Sequence, residues 1–294
     1  MSSPDNSCIC SDGLPGRSSG EWARTKLQFL EDYLPPALAV THNFSRRWFI
    51  DLFAGPGRNA DRHRQPGEFD GSPLRALDLC GSDKAKTPFT DAVFVNNVEW
   101  EHLALATRVS RVVEGGKSRI PINRIRLLRG DANNVLPQIM KSIGKRDYVI
   151  AFADITGPSH WPFTSVEELR RQGHRSVDFY MLFPLEMALV RKLSFRKEMT
   201  ERYAADITAF FGTDEWRPIW ERRRTSSDTQ KLKLELIELY RSQLGKVWKH
   251  PKMQEKIGRS AKARLYSMFF ATDNEIGSNL AKWQQRRLQP DFFT

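Results

Sequence analysis

Hydrophobic residues along the chain fall in short blocks separated by polar ones, and the blocks alternate in length and period. Trp48 to Phe53, Ala92 to Val95, Ile125 to Leu128, Tyr148 to Ala153 and Val177 to Phe183 are largely apolar runs of four to seven residues. Such runs, bounded by glycine, proline or acid, predict buried strands. Between them lie segments with apolar residues three and four apart, which predict helices: Pro73–Leu79, Glu99–Val113, Val135–Met140 and Val166–Arg171. Tyr148–Ala153 is nearly continuous in apolar residues, as befits a central parallel strand. Strand and helix alternation of this kind predicts an α/β fold with a mostly parallel sheet.

The flanks follow a different rhythm. Glu21 to Val40 carries Trp22, Leu27, Phe29, Leu30, Tyr33 and Leu34 at helical spacing, and Pro35-Pro36 is expected to stop that helix, with a second helical segment following to about Thr41. Residues 1–20 are rich in Ser, Gly, Pro and Asp and read as a disordered tail. The expected layout is thus a tail over 1–20, a helical segment over 21–44, and an α/β domain running to 294. Arg58–Gly71 is a long polar loop. A helical insertion is expected at about 195–260, including a clear amphipathic helix over Gln230–Leu244. Ala263 to Ala271 reads as a late strand and Ile276–Arg287 as a terminal helix.

The first apolar run ends in Asp51-Leu52-Phe53-Ala54-Gly55-Pro56-Gly57. Two glycines close to a strand end permit positive φ and let a ligand approach the backbone. In open α/β sheets, ligands bind outside the carboxyl ends of the strands. Four consecutive strands end in polar residues, Asp51, Asn97, Asp131 and Asp154, so these fall on one rim. Carboxylates and carboxamides there suit nucleoside hydroxyl and amino groups, although any one of them also suits a helix N-cap. A dinucleotide fingerprint is incomplete, because the loop runs on past Ala60 without opening a helix. No P-loop, Gly-x-Ser-x-Gly elbow or HExxH pattern occurs.

Composition narrows this further. The 294 residues carry 46 Lys and Arg against 35 Asp and Glu, a net charge of +11, which points to a polyanionic partner such as nucleic acid. Three cysteines, Cys8, Cys10 and Cys80, make neither a disulfide framework nor a zinc site, and no metal is expected. No apolar run reaches membrane-span length, and the N-terminus lacks a signal pattern, so a cytoplasmic protein is expected.

Phe49-Ile50-Asp51-Leu52-Phe53-Ala54-Gly55-Pro56-Gly57 resembles motif I of class I S-adenosylmethionine-dependent methyltransferases. More closely, the chain resembles the three-Cys-motif partner family. The shared pattern includes Lys26-Leu27, Gly71-Ser72-Pro73, Gly130-Asp131-Ala132-Asn133, Phe152-Ala153-Asp154 and Phe210-Phe211-Gly212 through Trp216. The resemblance implies a Rossmann-like fold of seven strands with the last antiparallel, and a methyl-donor site at Asp51, Phe53, Ala54, Gly55, Gly57, Asn97, Asp131 and Ala132. It also implies a catalytic or substrate-contacting role for Asp154 and a gene-neighbour protein partner. The chain departs from its relatives in having Asn96-Asn97 where an acid usually holds the ribose, and Asp154-Ile155 where Asp-Pro is usual.

Two functions follow as expectations. One is a methyltransferase acting on nucleic acid or a nucleic-acid-associated target. Trp161, Phe163 and Tyr180 are then candidate stacking surfaces, each also a candidate core residue, and Arg58, Arg62, Arg64, Arg222–Arg224, Lys262 and Arg264 are candidate phosphate contacts. The other is a non-catalytic module of the same fold that assists a partner.

Overall fold

The computed structural model describes residues 7–61, 67–83, 85–193, 197–226, 228–260 and 263–288. The chain divides into two compact units: Met1–Val135 with Arg146–Ala153 and Leu280–Thr294, and Leu136–Lys145 with Asp154–Asn279.

The first unit begins with β1 (Ser7–Ile9) and β2 (Pro15–Ser19), followed by α1 (Glu21–Val40) and β3 (Arg47–Asp51). A hairpin of β4 (Arg58–Asp61) and β5 (Glu68–Asp70) leads to α2 (Ser72–Gly81), β6 (Asp91–Asn96), α3 (Glu99–Glu114), β7 (Ile125–Arg129), α4 (Ala132–Lys141), whose residues from Leu136 on belong to the second unit, and β8 (Tyr148–Ala153). The second unit holds α5 (Phe163–Arg171) and β9 (Val177–Phe183). A short π-helical turn follows, then α6 (Val190–Lys192), α7 (Lys197–Glu201), α8 (Ala204–Phe211), α9 (Trp216–Ser226) and α10 (Thr229–Gly245). It continues with β10 (His250–Ser260), β11 (Ala263–Thr272) and the start of α11 (Glu275–Leu288).

Seven strands form one sheet in the order β10-β11-β9-β8-β3-β6-β7. β3 pairs parallel with both β6 and β8, and β6 pairs parallel with β7. β11 is antiparallel to β9 and to β10. The chain therefore winds from β3 through β6 to β7 and then returns to the other side of β3, which makes the β3/β8 boundary a topological switch point. The expected seven-stranded, mostly parallel sheet with its last strand antiparallel is what the chain adopts.

The central strands β3, β6 and β8 are buried along their whole length, which explains their unbroken apolar composition. In the second unit, Tyr240 of α10 is fully buried among Phe163, Phe183, Phe210, Phe211 and Phe269. Gly212, at φ 67°, ends α8 in the left-handed region; a side chain there would run into Phe163 at 2.9 Å.

Three expectations need correction. Residues 7–19, expected as part of a disordered tail, form β1 and β2. With β4 and β5 these build a small sheet in the order β1-β2-β4-β5, so the polar loop after Gly57 is also largely strand; residues 62–66 lie outside the described residues. What holds this segment is charge pairing with α3, invisible to a composition argument. Second, Pro35-Pro36 does not end α1, which runs on to Val40. The prolines withhold two backbone donors, but Tyr33, Leu34, Ala37 and Leu38 around them are all buried, and packing of that face outweighs the missing bonds. Third, the expected helical insertion at about 195–260 ends in β10, a strand with poor intrinsic propensity that is set by its ladder with β11. Lys26 of α1 is buried. Among the described residues no helix is long and apolar enough to cross a membrane.

Candidate functional site

The site grows from the end of β3. Asp51 closes the strand and is fully buried, and its Oδ1 accepts the Phe53 N–H at 3.1 Å. The chain then turns away from the sheet. Leu52 N–H bonds Phe152 O of β8 and Ala54 N–H bonds Val95 O of β6, so the turn is fastened to both neighbouring strands. Gly55 and Gly57 follow with φ of 62° and 84°, values that only glycine adopts without strain.

The two glycines do different work. A side chain on Gly57 would meet Leu105 at 2.9 Å and Leu74 at 3.4 Å, so Gly57 is needed for packing against α2 and α3. A side chain on Gly55 would meet no atom nearer than the Arg17 guanidinium, at 3.7 Å. Gly55 is buried with the Arg17 guanidinium over it, and its positive φ, not crowding, is what requires glycine there. The β4–β5 hairpin leaves at Arg58 and returns at Gly71, whose N–H bonds Gly57 O at 2.8 Å. It is a clean insertion between the glycine loop and the helix that such loops usually open.

Strand β6 supplies Asn96. Its Nδ2 donates to Gly55 O at 2.8 Å, and its own carbonyl accepts the Gly130 N–H beyond β7 at 2.9 Å. This one residue ties together the ends of three strands. Sequence reasoning favoured Asn97, which is exposed just past the strand end. Glu99, the next acid, is exposed and paired with Arg129 at 3.1 Å. Asp131 is half-buried and caps the chain at α4 by accepting the Asn133 N–H at 2.8 Å, with Ala132 buried beside it. Asp51, Phe53, Ala54, Gly55, Gly57, Asp131 and Ala132 thus all lie on the carboxyl ends of β3 and β7.

The segment around β1 and β2 lies against the same loop. Arg108 of α3 is 2% exposed. It donates to Asp12 through Nε and Nη2 at 2.7 and 2.9 Å, and to the carbonyls of Leu14, Pro15 and Pro56. Asp12 is pushed up by burial, but hydrogen bonds from Arg108 and the Leu14 N–H prevail and hold it below the usual carboxylate range. Arg17 forms a two-point fork with Glu101 at 2.5 and 2.8 Å, and its guanidinium overlies Gly55. Cys10, within this strap, is buried, and burial pushes its thiol up to about 11. The strap residues went unrecognised in the sequence because their partners lie more than 80 positions away.

Asp154 belongs to the second unit. It follows β8 directly and is half-buried, with Ile155 fully buried after it. Thr156 Oγ1 and His160 Nδ1 lie 2.9 Å apart in the turn beyond. Trp161, Phe163 and Tyr180 are all buried, Trp161 stacked on Phe179, so they serve the core and offer no stacking platform. Among the described residues no group of three or more His, Cys, Asp and Glu could hold a metal ion.

Strand order, switch point and glycine loop together define a Rossmann-like fold of the class I methyltransferase type. No protein-family model and no curated protein sequence matches the chain. Solved structures similar to it include a Legionella pneumophila protein of the DUF519 family, with TM-score 0.48 and 9% identity over 90% of this chain and 91% of that one. Spermidine synthase from Thermotoga maritima has TM-score 0.44 and 10% identity over 96% and 69%. Trm1 from Pyrococcus horikoshii, solved with S-adenosyl-L-methionine, has TM-score 0.43 and 8% identity over 88% and 58%. The resemblance to the three-Cys-motif partner family rests on the motifs alone.

Proposed function

We propose that the chain binds S-adenosylmethionine and transfers its methyl group to a nucleic-acid acceptor. The observation that carries this reading is the positive-φ Gly55 turn after β3 at the β3/β8 switch point, with the Arg17 guanidinium over it and Asp51 and Asn96 fixed beside it. The residues fit the cofactor: Gly55 admits close approach of its amino-acid end, and Asp131 with Ala132 at the start of α4 offers a carboxylate and a backbone N–H for the adenosine end. When bound, S-adenosylmethionine supplies a methyl on a sulfonium, whose displacement by a nucleophile demands in-line placement more than acid strength. Asp51 shapes the loop through the Phe53 N–H and keeps the turn tight. Asp154 is the proposed acceptor-side group, orienting an amino or hydroxyl nucleophile and taking its proton.

The nucleic-acid acceptor is supported by the net charge of +11 and by a basic ribbon in the second unit. β9 pairs with β11 only over Ser267–Ala271, so Ala263–Tyr266 and their β10 partners continue past the carboxyl end of β9. At about 3.3 Å per residue that is about 13 Å of two-stranded ribbon. Arg259 and Arg264 are register partners across it, and arginines suit a phosphate backbone.

A second reading, a non-catalytic module of the same fold, draws on one feature. With Asn97 exposed and Glu99 paired to Arg129, the end of β6 presents no unengaged carboxylate to a ribose.

Calorimetric titration with S-adenosylmethionine tests the first reading, with Asp51→Asn alongside. Micromolar binding that weakens in the variant is expected, followed by transfer of labelled methyl to nucleic acid. No binding at millimolar cofactor would sink it. Binding without transfer to DNA, RNA or protein acceptors selects the second reading.

A further inference from the structure

We infer that Arg17, delivered by the N-terminal strap, is the anchor for the α-carboxylate of the bound methyl donor. The inference rests on the cofactor reading above and adds to it a residue outside every motif of the chain.

Four observations carry it. First, the guanidinium lies directly against the glycine loop: a Cβ on Gly55 would meet its Cζ at 3.7 Å and its Nη1 at 3.8 Å, and nothing else so near. Second, Glu101 takes Nε and Nη2 and leaves Nη1 on the Gly55 side. A guanidinium has five N–H donors, so the fork fixes its plane without exhausting it. Third, Glu101 is 5% exposed and Arg17 is 41% exposed. The carboxylate is the rigid, buried partner, and the guanidinium is the end that reaches solvent and can take a second anion. Fourth, the strap has a mount of its own. Arg108, buried and five-fold bonded to Asp12, Leu14, Pro15 and Pro56, welds the strap to the same loop. Arg17 is therefore held in place when no ligand is bound, which lowers the ordering cost of binding.

The chemistry selects a carboxylate. Adenosine offers Gly55 and Arg17 only neutral hydroxyls and ring nitrogens, whereas the amino-acid end of S-adenosylmethionine carries an anionic group suited to an N–H donor of a guanidinium. Glu101 acts as a positioning residue, since it neutralises and aims Arg17 without facing the ligand.

Ligand pairs separate this role from a structural one. Calorimetry would compare S-adenosylmethionine with 5′-methylthioadenosine, which keeps the adenosine and the S-methyl group, as a neutral thioether, but has no amino-acid arm and so no carboxylate. Arg17→Ala and Arg17→Gln are expected to weaken S-adenosylmethionine by about tenfold to a hundredfold, the range of a hydrogen bond to a charged group. Both variants should leave 5′-methylthioadenosine within twofold of the wild type. Protection of Cys10 from alkylation reports that the strap remains docked in each variant. Equal loss for both ligands, or no loss for S-adenosylmethionine, overturns the inference while leaving the proposed function standing. Failure of the wild-type chain to bind S-adenosylmethionine at all defeats the proposed function, and the role of Arg17 falls with it.

Discussion

Arg108→Ala is expected to detach the strap without unfolding the rest of its unit. The guanidinium makes five hydrogen bonds, two to the Asp12 carboxylate and three to backbone carbonyls, at 2% exposure. Breaking a buried pair by removing one partner costs about 3–5 kcal/mol when the other charge stays buried. Arg58 stands 3.5 Å from Asp12 and offsets part of this, so the lower end, about 3 kcal/mol, is the better figure. The strap has a way to limit the loss, because undocking returns Asp12 and the carbonyls to water. The free energy should therefore appear as a shift in a local opening equilibrium. A change of about 3 kcal/mol is a factor of about 100 in the open population.

Cys10 reports that opening. It is 4% exposed in the strap, while Cys80 is fully buried in α2. Burial holds their thiols at about 11 and about 12, so neither ionises at pH 8 in the closed state. Iodoacetamide labelling followed by peptide mass spectrometry should show Cys10 reacting about 100-fold faster in Arg108→Ala, with Cys80 unchanged. A rise below threefold at Cys10 would show that Arg108 does not hold the strap. A parallel rise at Cys80 would show that strap and core open as one. Asp12 adds a pH dependence. Its folded pKa lies below the unfolded one, so its stabilisation is complete above the unfolded value near pH 4 and is lost as pH falls through the folded value. Hydrogen exchange of residues 7–19 should accelerate below about pH 4 in the wild type, and the acceleration should disappear in Asp12→Asn.

Three further outcomes are expected. Asp91 is raised by burial but brought below the usual range by Arg46, Thr90 and Arg124; Asp91→Asn should cost about 2–3 kcal/mol in urea melts at pH 7, less than a fully buried pair because Arg46 and Arg124 are 37% and 50% exposed. The difference should vanish as pH drops below about 4, since the stabilisation exists only where the carboxylate is ionised, and a constant difference down to pH 2 would exclude the ion pair as its source. Gly57→Ala and Gly55→Ala should differ: the first meets Leu105 at 2.9 Å and costs about 2 kcal/mol or more, while the second, with 3.7 Å of clearance, costs about 1–2 kcal/mol of backbone strain and chiefly abolishes cofactor binding. Equal stabilities would overturn the division of labour between the two glycines. Arg259→Ala with Arg264→Ala should flatten the salt dependence of duplex-DNA binding by about 1.8 in log-log slope, measured by fluorescence anisotropy, whereas Arg241→Ala on α10 should not; an unchanged slope would remove the ribbon from the interface.

What the sequence revealed and what it hid divide along one physical line. The strands at β3, β6, β7, β8 and β9, the glycine loop and the acids at the strand ends were all legible, because each is written in contiguous residues. An apolar run needs no partner to be recognised, and neither does Gly55-Pro56-Gly57. The strap was not legible, since Asp12 and Arg17 read as tail until Arg108 and Glu101, 96 and 84 positions on, come beside them. β10 was hidden for the same reason: Lys252–Ser260 has no strand-like pattern of its own and becomes one only against β11. Asn96 and Asn97 are chemically identical, and only the pleat decides which amide turns onto Gly55 O. In this chain the contiguous signals specify a scaffold that could hold an adenosine, while the residues that would discriminate one ligand from another, Arg17 above all, arrive through long-range charge pairs. Recognition of a carboxylate therefore tests the non-local half of the fold. If Arg17 and its mount are necessary for S-adenosylmethionine but not for 5′-methylthioadenosine, specificity was built by adding a strap to a loop that already bound the nucleoside.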